Sequence, residues 1–293
     1  MSEKELGHQV VDEDHKTQIH EEFTPSDKKE TYILKATEDM FDGIIVDPTG
    51  LPKDIPTFVK SLKISLEFWK SQNKKGVWLK LPIANSNLVQ PALQEGLKYH
   101  HAESTYVMLV TWLSSSPSTI PRNASHQVGI GAFVVNDKHE ILAVQPKDGA
   151  FRETEIWEVP TGLLNQGEDL SAGAVRKVKE ETGIETDFVK VIGFRHTHKV
   201  VYEKSDLLFL CILHPLTSTI AKQELEHANV QWIPLSQFSA QDYMQDQKML
   251  KKMIDVCIST LEGGHNGFSP RNMQTGRKRG SRYFYYNTDD CKD

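Results

Sequence analysis

The sequence predicts an α/β (α+β) protein of two domains, the second a mixed sheet packed between helices, and three observations carry that expectation. Strand-length apolar runs alternate with segments of helical period along most of the chain. A Ser/Pro-rich stretch interrupts this alternation, and a polar segment at 162–184 reads as a turn followed by a helix that stops at Gly183. At 293 residues and 38% hydrophobic side chains, the chain has material for two modest cores.

In chain order, residues 1–29 are polar and charged, without the apolar core of a signal peptide, and are expected to be disordered. Residues 30–113 are expected to form the first domain, a small alternating α/β unit. TYILKATEDMFDGIIVD suggests short strands, and Phe58, Leu62, Leu66 and Trp69 recur at spacings of four, four and three as a helical stripe. GVWLKLPI reads as a strand, followed by a helix around Asn87 to Gly96 and a strand from Thr105 to Leu113. This unit holds a core but no catalytic set, and is expected to pack on its neighbour or across a dimer. SSSPSTIPRNASH, residues 114–126, has two prolines and little to bury, so it is taken as the linker.

The second domain is expected over 127–262. VGIGAFVVN and EILAVQ, joined by the polar turn Asn136 to His139, suggest an antiparallel hairpin, with EIWEVPTG as a third strand. Asp169 to Thr182 has helix-forming composition and stops at Gly183, a residue suited to a left-handed cap. Strands near Asp187 to Phe194 and Leu207 to Leu213 precede a helix around Gln241 to Thr260. Residues 263–293 turn Gly/Asn-rich, then basic, aromatic and acidic without a period, and are expected to be disordered.

The formal net charge of −6 gives no bulk attraction to nucleic acid or an anionic membrane. A phosphate-bearing ligand must therefore be captured locally or through a cation. The basic run Arg277 to Arg282 beside Tyr283 to Tyr286 hints at nucleic acid, but the acids that follow dilute it. Three widely spaced cysteines, Cys211, Cys257 and Cys291, suggest a reducing compartment, and the apolar runs fall short of the roughly 20 residues a membrane helix needs. A cytoplasmic protein without a nucleic-acid or membrane partner is the expectation.

The chemistry concentrates in GLLNQGEDLSAGAVRKVKEETGI, residues 162–184. Gly162 permits a tight turn, Glu168 sits at the mouth of the helix, and Arg176, Lys177, Glu180 and Glu181 share its last turns because residues three and four apart lie on one face. Clustered carboxylates repel one another unless a hard cation such as Mg²⁺ gathers them. The bland alternative is a solvated helix with Arg176–Glu180 and Lys177–Glu181 ion pairs, each contributing tenths of a kcal/mol.

The segment resembles the Nudix box: Gly, five residues, Glu, seven residues, Arg-Glu, an aliphatic, any residue, Glu-Glu, any residue, Gly, aliphatic. Gly162, Glu168, Arg176, Val178, Glu180, Glu181, Gly183 and Ile184 match, and Lys177 departs where the family has Glu. GVWLKLPI with GLKYHHAESTYVMLVTWL looks like the pre-Nudix domain of a subgroup of plant cytosolic ADP-ribose and NADH pyrophosphatases and an animal relative. WEVPTG, FRHTHK, SDLLFLC and NVQWIPLSQF look like its catalytic domain.

The resemblance implies a Nudix α/β/α sandwich behind a pre-Nudix domain. It also implies Mg²⁺- or Mn²⁺-dependent hydrolysis of the diphosphate in ADP-ribose-like or dinucleotide substrates. By position, Glu180 and Glu181 would face the metal, with Arg176 in the catalytic set and Glu168, Gly162 and Gly183 structural. Lys177 implies a weakened enzyme. A second reading is a catalytically silent Nudix domain that binds a nucleotide or a protein. Outside the box, Glu224 and Glu226 are candidates for an extra carboxylate, and His196 and His198 for contact with substrate, with His198 and Glu226 carried as substrate-binding. His100, His101 and Glu103 look like a metal cluster but lack a further ligand, and Phe151 and Trp157 either stack on a base or fill the core.

Overall fold

The computed structural model describes residues 32–147, 155–220, 227–274 and 281–287, in two compact units, 1–124 and 125–293. In the first unit, strands β1 (Ala36–Glu38), β2 (Ile44–Val46), β3 (Gly76–Pro82), β4 (Lys98–Glu103) and β5 (Tyr106–Trp112) form one sheet in the order β1-β2-β3-β5-β4. Helix α1 (Ile55–Ser71) starts where the Asp54 carboxylate accepts from Thr57 N at 2.9 Å, satisfying a donor that the first turn leaves open. The stripe expected from the sequence is its buried face, with Phe58 and Leu62 fully enclosed and Trp69 nearly so. On β3 the alternation is equally direct: Val77, Leu79 and Leu81 point into the same core. The short helix α2 (Val89–Gln94) closes it with Ala92.

In the second unit, β6 (His126–Val134), β8 (Thr161–Leu163), β9 (Thr186–Val201) and β10 (Lys204–Pro215) form a sheet in the order β8-β6-β10-β9. β10 runs parallel to β6 and the other pairs are antiparallel. Helix α3 (Leu170–Thr182) covers one face, where Ala174 and Val178 meet Ile130, Ala132 and Cys211. The other face is closed by α4 (Leu235–Ser239), α5 (Asp242–Asp246) and α6 (Lys248–Leu261), through Phe238, Met244, Ile254 and Cys257. The architecture is a mixed sheet between helices. Burial pushes the Cys211 and Cys257 thiols up to about 12, so both are inert, protonated core side chains.

Three expectations need correction. The turn at Asn136 to His139 forms, with the Asn136 side chain accepting from Lys138 N and Glu140 N and His139 at φ 58°, but the pairing it starts stops at an isolated bridge between Val135, just past β6, and Ile141 of β7 (Glu140–Pro146). β7 instead pairs with β11 (His227–Pro234). Its successive residues Ile141, Leu142, Ala143 and Val144 are all buried, so the strand feeds both cores while its backbone is engaged along its length by β11. EIWEVPTG is not one strand: Glu158 makes a single bridge to Val144, and pairing resumes only at Thr161. Proline at 160 cannot donate to a ladder.

The tail is the third correction. Residues expected to be disordered form an antiparallel hairpin, β12 (Ser269–Gln274) with β13 (Ser281–Tyr286). Phe268 exchanges both backbone hydrogen bonds with Val191, and His265 Nε2 lies 2.9 Å from Ile192 O. Gly267 permits the approach: at φ 64° a Cβ would stand 2.5 Å from Val191 O. The Tyr285 ring meets Phe188 edge-on, and its hydroxyl accepts from Ser171 N at 3.2 Å, in the first turn of α3. Asp169, at the N-cap, makes no side-chain capping bond, so Tyr285 serves one of the donors that a cap would serve.

Candidate active site

Helix α3 ends at Gly183, whose φ of 75° and N–H bond to Lys179 O at 2.9 Å make the left-handed stop that the sequence suggests. Thr182 then bonds Val178 O and accepts from Ile184 N, which fixes the exit of the chain. At the other end, Gly162 pairs with Ile130 on β6. A Cβ there would overlap the Lys177 side chain, 2.2 Å from its Cε, so the missing side chain is the space through which the lysine crosses the strand. Gly173 has a similar role toward Leu164 and Glu168.

Around this frame Arg176 is a hub. Its Nε donates to Glu168 Oε1 at 2.6 Å, one terminal nitrogen donates to Glu168 Oε2 at 2.7 Å and to Leu163 O at 3.1 Å, and the other reaches Glu180 Oε2 at 2.9 Å. The bidentate pair ties the loop before the helix to the helix itself. Glu168 Oε2 also accepts from Asn165 N at 2.8 Å. The Arg176 guanidinium holds the Glu168 carboxyl well below its ordinary range, at about 2, and Glu168 raises Arg176 in turn.

A pH dependence follows from this pair. Because the folded-state value is depressed, the stabilisation is fully present above the ordinary glutamate range, near 4.5, and is lost as pH falls toward about 2. Wild type should lose thermal stability across that window, and Glu168→Gln should show a lower melting temperature at neutral pH and a flatter acid limb. Parallel melting curves for the two proteins from pH 7 to pH 2.5 would contradict it.

Lys177 and the two remaining acids form the second cluster. Lys177 Nζ stands 3.3 Å from Glu181 Oε1 and 3.5 Å from Glu180 Oε2. The Glu181 side chain is 3% exposed and Lys177 13%, whereas Glu180 is 49% exposed. A carboxylate buried so deeply requires a positive partner. Glu180 Oε2 is shared between Arg176 and Lys177, so two carboxylates on one helix face meet the Lys177 ammonium, and carboxylate oxygens are also the ligands that a hard divalent ion takes.

The chain's similarities bear on what this arrangement is. Residues 34–113 match the profile described as "Nudix hydrolase domain" and residues 125–253 the one described as "NUDIX domain". Nudix hydrolase 8 of Arabidopsis thaliana is 45% identical over 267 residues, covering 90% of this chain and 72% of that protein. Nudix hydrolase 2 of the same plant is 43% identical over 260 residues, covering 89% and 92%. The chain belongs to the Nudix hydrolase family. It is an enzyme of that family, with the N-terminal unit its relatives share. Human nucleoside diphosphate-linked moiety X motif 6 is 36% identical over 210 residues, covering 69% of this chain and 66% of that protein. Among solved structures, the MutT protein of Methanosarcina mazei Go1 is 21% identical with a TM-score of 0.37, covering 45% of this chain and 94% of that one.

The structure gathers the Nudix box residues Gly162, Glu168, Arg176, Lys177, Glu180, Glu181 and Gly183 about one helix and the strand beneath it. Glu224, Glu226 and Phe151 lie outside the described residues. His198 stands on β9, its Nδ1 3.0 Å from Ser205 Oγ. Trp157 lines a cavity of about 390 Å³ with Phe238 and Gln145, its backbone held at both ends by the Gln241 amide. His100 and His101 face each other at 2.6 Å through Nδ1, and Tyr106 lies 3.3 Å from His101 Nε2. Sequence reasoning missed Leu163, Asn165 and Tyr285 as supports of the box. The first two act through backbone atoms, which leave no side-chain signature, and Tyr285 is 114 residues from its partner. Among the described residues, no group of three or more His, Cys, Asp or Glu side chains is arranged to hold a metal ion.

Proposed function

We propose that this protein hydrolyses the diphosphate bond of nucleoside diphosphate derivatives of the ADP-ribose or NADH kind, using Mg²⁺ or Mn²⁺, at a rate that Lys177 holds down. The observation that carries the reading is the meeting of Glu180 and buried Glu181 at the Lys177 ammonium, on a helix that keeps the Nudix pattern except at position 177. Glu181 and Glu180 are the residues that would hold the divalent ion. When bound, that ion neutralises phosphate charge and lowers the pKa of a water for attack on phosphorus. Glu181 is oriented by its burial and by Lys177. Arg176 fixes Glu180 in place and locks the Glu168 loop, so the carboxylates are held before substrate arrives.

The same reading includes a cytoplasmic protein, supported by the free, buried Cys211 and Cys257. It also includes a homodimer, for which the exposed Met40 and Phe41 give the N-terminal unit an apolar contact. Light scattering tests the dimer. No helix among the described residues is long and apolar enough to cross a membrane.

A second reading follows from Lys177 alone. With the ammonium already bridging both acids, the domain would bind a nucleotide or a protein without hydrolysing anything. Purified protein incubated with Mg²⁺ or Mn²⁺ and a panel of nucleoside diphosphate derivatives separates the two. Release of a nucleoside monophosphate is expected; no turnover at any metal concentration would leave only the binding reading.

A further inference from the structure

Three histidines from two strands stand together on the sheet face that carries the Nudix helix. His126 Nε2 lies 2.8 Å from His196 Nε2, and the rings of His196 and His198 are 4.3 Å apart between centroids. All three side chains are exposed. Strand register establishes the face. Gly162, Ile130, Phe209 and Phe194 form one row across β8, β6, β10 and β9, and paired residues point the same way. Ile130 packs in the core that α3 closes, and Lys177 lies where a Gly162 side chain would be, so this is the α3 face.

Val128, Leu207 and His196 make the next row, and His126 with Ser205 the one after. At about 3.3 Å per residue, the last row lies roughly 13 Å along the strands from the Gly162 row. The histidines therefore adjoin the box on a continuous surface, past the exposed Phe194 ring.

Their chemistry favours an anion. Ser125 Oγ is 2.9 Å from His126 Nδ1, and Ser205 Oγ is 3.0 Å from His198 Nδ1. When each hydroxyl donates to the nitrogen it faces, the proton of each ring sits on Nε2; His126 then donates to His196 Nε2, which leaves the His196 proton on Nδ1, and His198 keeps its Nε2 donor for a ligand. The nearest acid on β10, Asp206, faces the opposite side of the sheet, where it pairs with Arg195 at 3.1 Å. Lys199, Glu203 and Lys204 stand in the same hairpin.

Resting on the hydrolase reading above, we propose that His126, His196 and His198 bind a phosphomonoester carried by the substrate at a distance from the scissile diphosphate. The substrate class is thereby narrowed to nucleoside diphosphate derivatives with an additional terminal phosphate. His196 and His198 were already candidates for substrate contact from the sequence; His126, 70 residues from its partner, was not.

The test uses the full chain and two readouts. In the first, kcat/KM is compared for matched pairs that differ only by one phosphate, NADH against its 2′-phosphorylated counterpart and ADP-ribose against its 2′-phosphate. Wild type is expected to favour the phosphorylated member at least about fivefold, chiefly through KM. His126→Ala and His196→Asn should each bring that ratio to about one. The second readout needs no turnover: imidazole ¹H–¹⁵N spectra are recorded while adenosine 2′-monophosphate or adenosine is added. Shifts in the three histidines with the monophosphate only are expected. Silence of all three toward the monophosphate, or a substrate ratio unchanged by both substitutions, overturns the proposal. Shifts without hydrolysis of any substrate would defeat the hydrolase reading and leave the phosphate site standing.

Discussion

Replacing Lys177 by glutamate is expected to raise kcat/KM at limiting Mg²⁺ by at least about tenfold. At 3.3 Å from Glu181, a unit charge interacts with about 5 kcal/mol at an effective dielectric of about 20, before solvent and rearrangement offsets. Even a third of that exceeds the 1.4 kcal/mol of a tenfold change. On the proposed function a divalent ion has to displace the ammonium before it can share both carboxylates, and Lys177→Glu removes the competitor and supplies the glutamate that the Nudix box has at that position. The two-unit charge change has a second consequence. Without metal, three neighbouring acids repel one another, so the variant should melt below wild type in chelator and gain more from added Mg²⁺. The measurements are kcat/KM against ADP-ribose and NADH over a metal titration, with melting curves at each end. Equal rates and equal metal dependence in both proteins would remove position 177 from the site.

Glu181→Gln is expected to cost at least about 100-fold in kcat/KM, because it neutralises the buried acid that orients whatever cation the helix end holds. The substitution keeps shape and takes only charge. It also deprives Lys177, 13% exposed, of its shorter ion-pair contact, and breaking one side of a buried pair is costly, at about 3–5 kcal/mol when solvent cannot intervene. Thermal stability should therefore fall together with activity. Glu180→Gln is the comparison: Glu180 is half exposed and still faces Arg176, so its stability loss should be much the smaller. Activity of Glu181→Gln within threefold of wild type would show that the chemistry lies elsewhere.

How far the sequence carried depends on how local each signal is. The α1 stripe, the alternation on β3 and the Gly183 stop are each dictated within a few residues, and all three were readable. The roles of Glu168 and Arg176 came from the resemblance to the Nudix box, and the bidentate contact between them, eight residues apart, was not given by spacing. Lys177 was legible as a departure, but its path over Gly162 was not, since that needs the strand beneath the helix. β7 was misread because a strand buried on both faces has no alternation to reveal its partner. The tail was misread for another reason. Its order comes from Val191, Phe188 and Ser171, remote in sequence, and its own composition carries none of that. The histidine cluster joins residues 70 positions apart, and β10, which brings them together, shows no trace of it.

The Tyr285 contact makes the first turn of the Nudix helix and the tail hairpin parts of one cooperative unit. Burial raises the Tyr285 hydroxyl above its usual range, so it remains a neutral acceptor at physiological pH. Any excursion that lifts the hairpin from β9 exposes the Ser171 amide to solvent at the same moment, although no covalent neighbour has moved. Amide exchange at Ser171 is thus a built-in gauge of tail docking. Its protection should fall in step with that of Val191 and Phe268, while Val178, mid-helix, keeps its own slower clock.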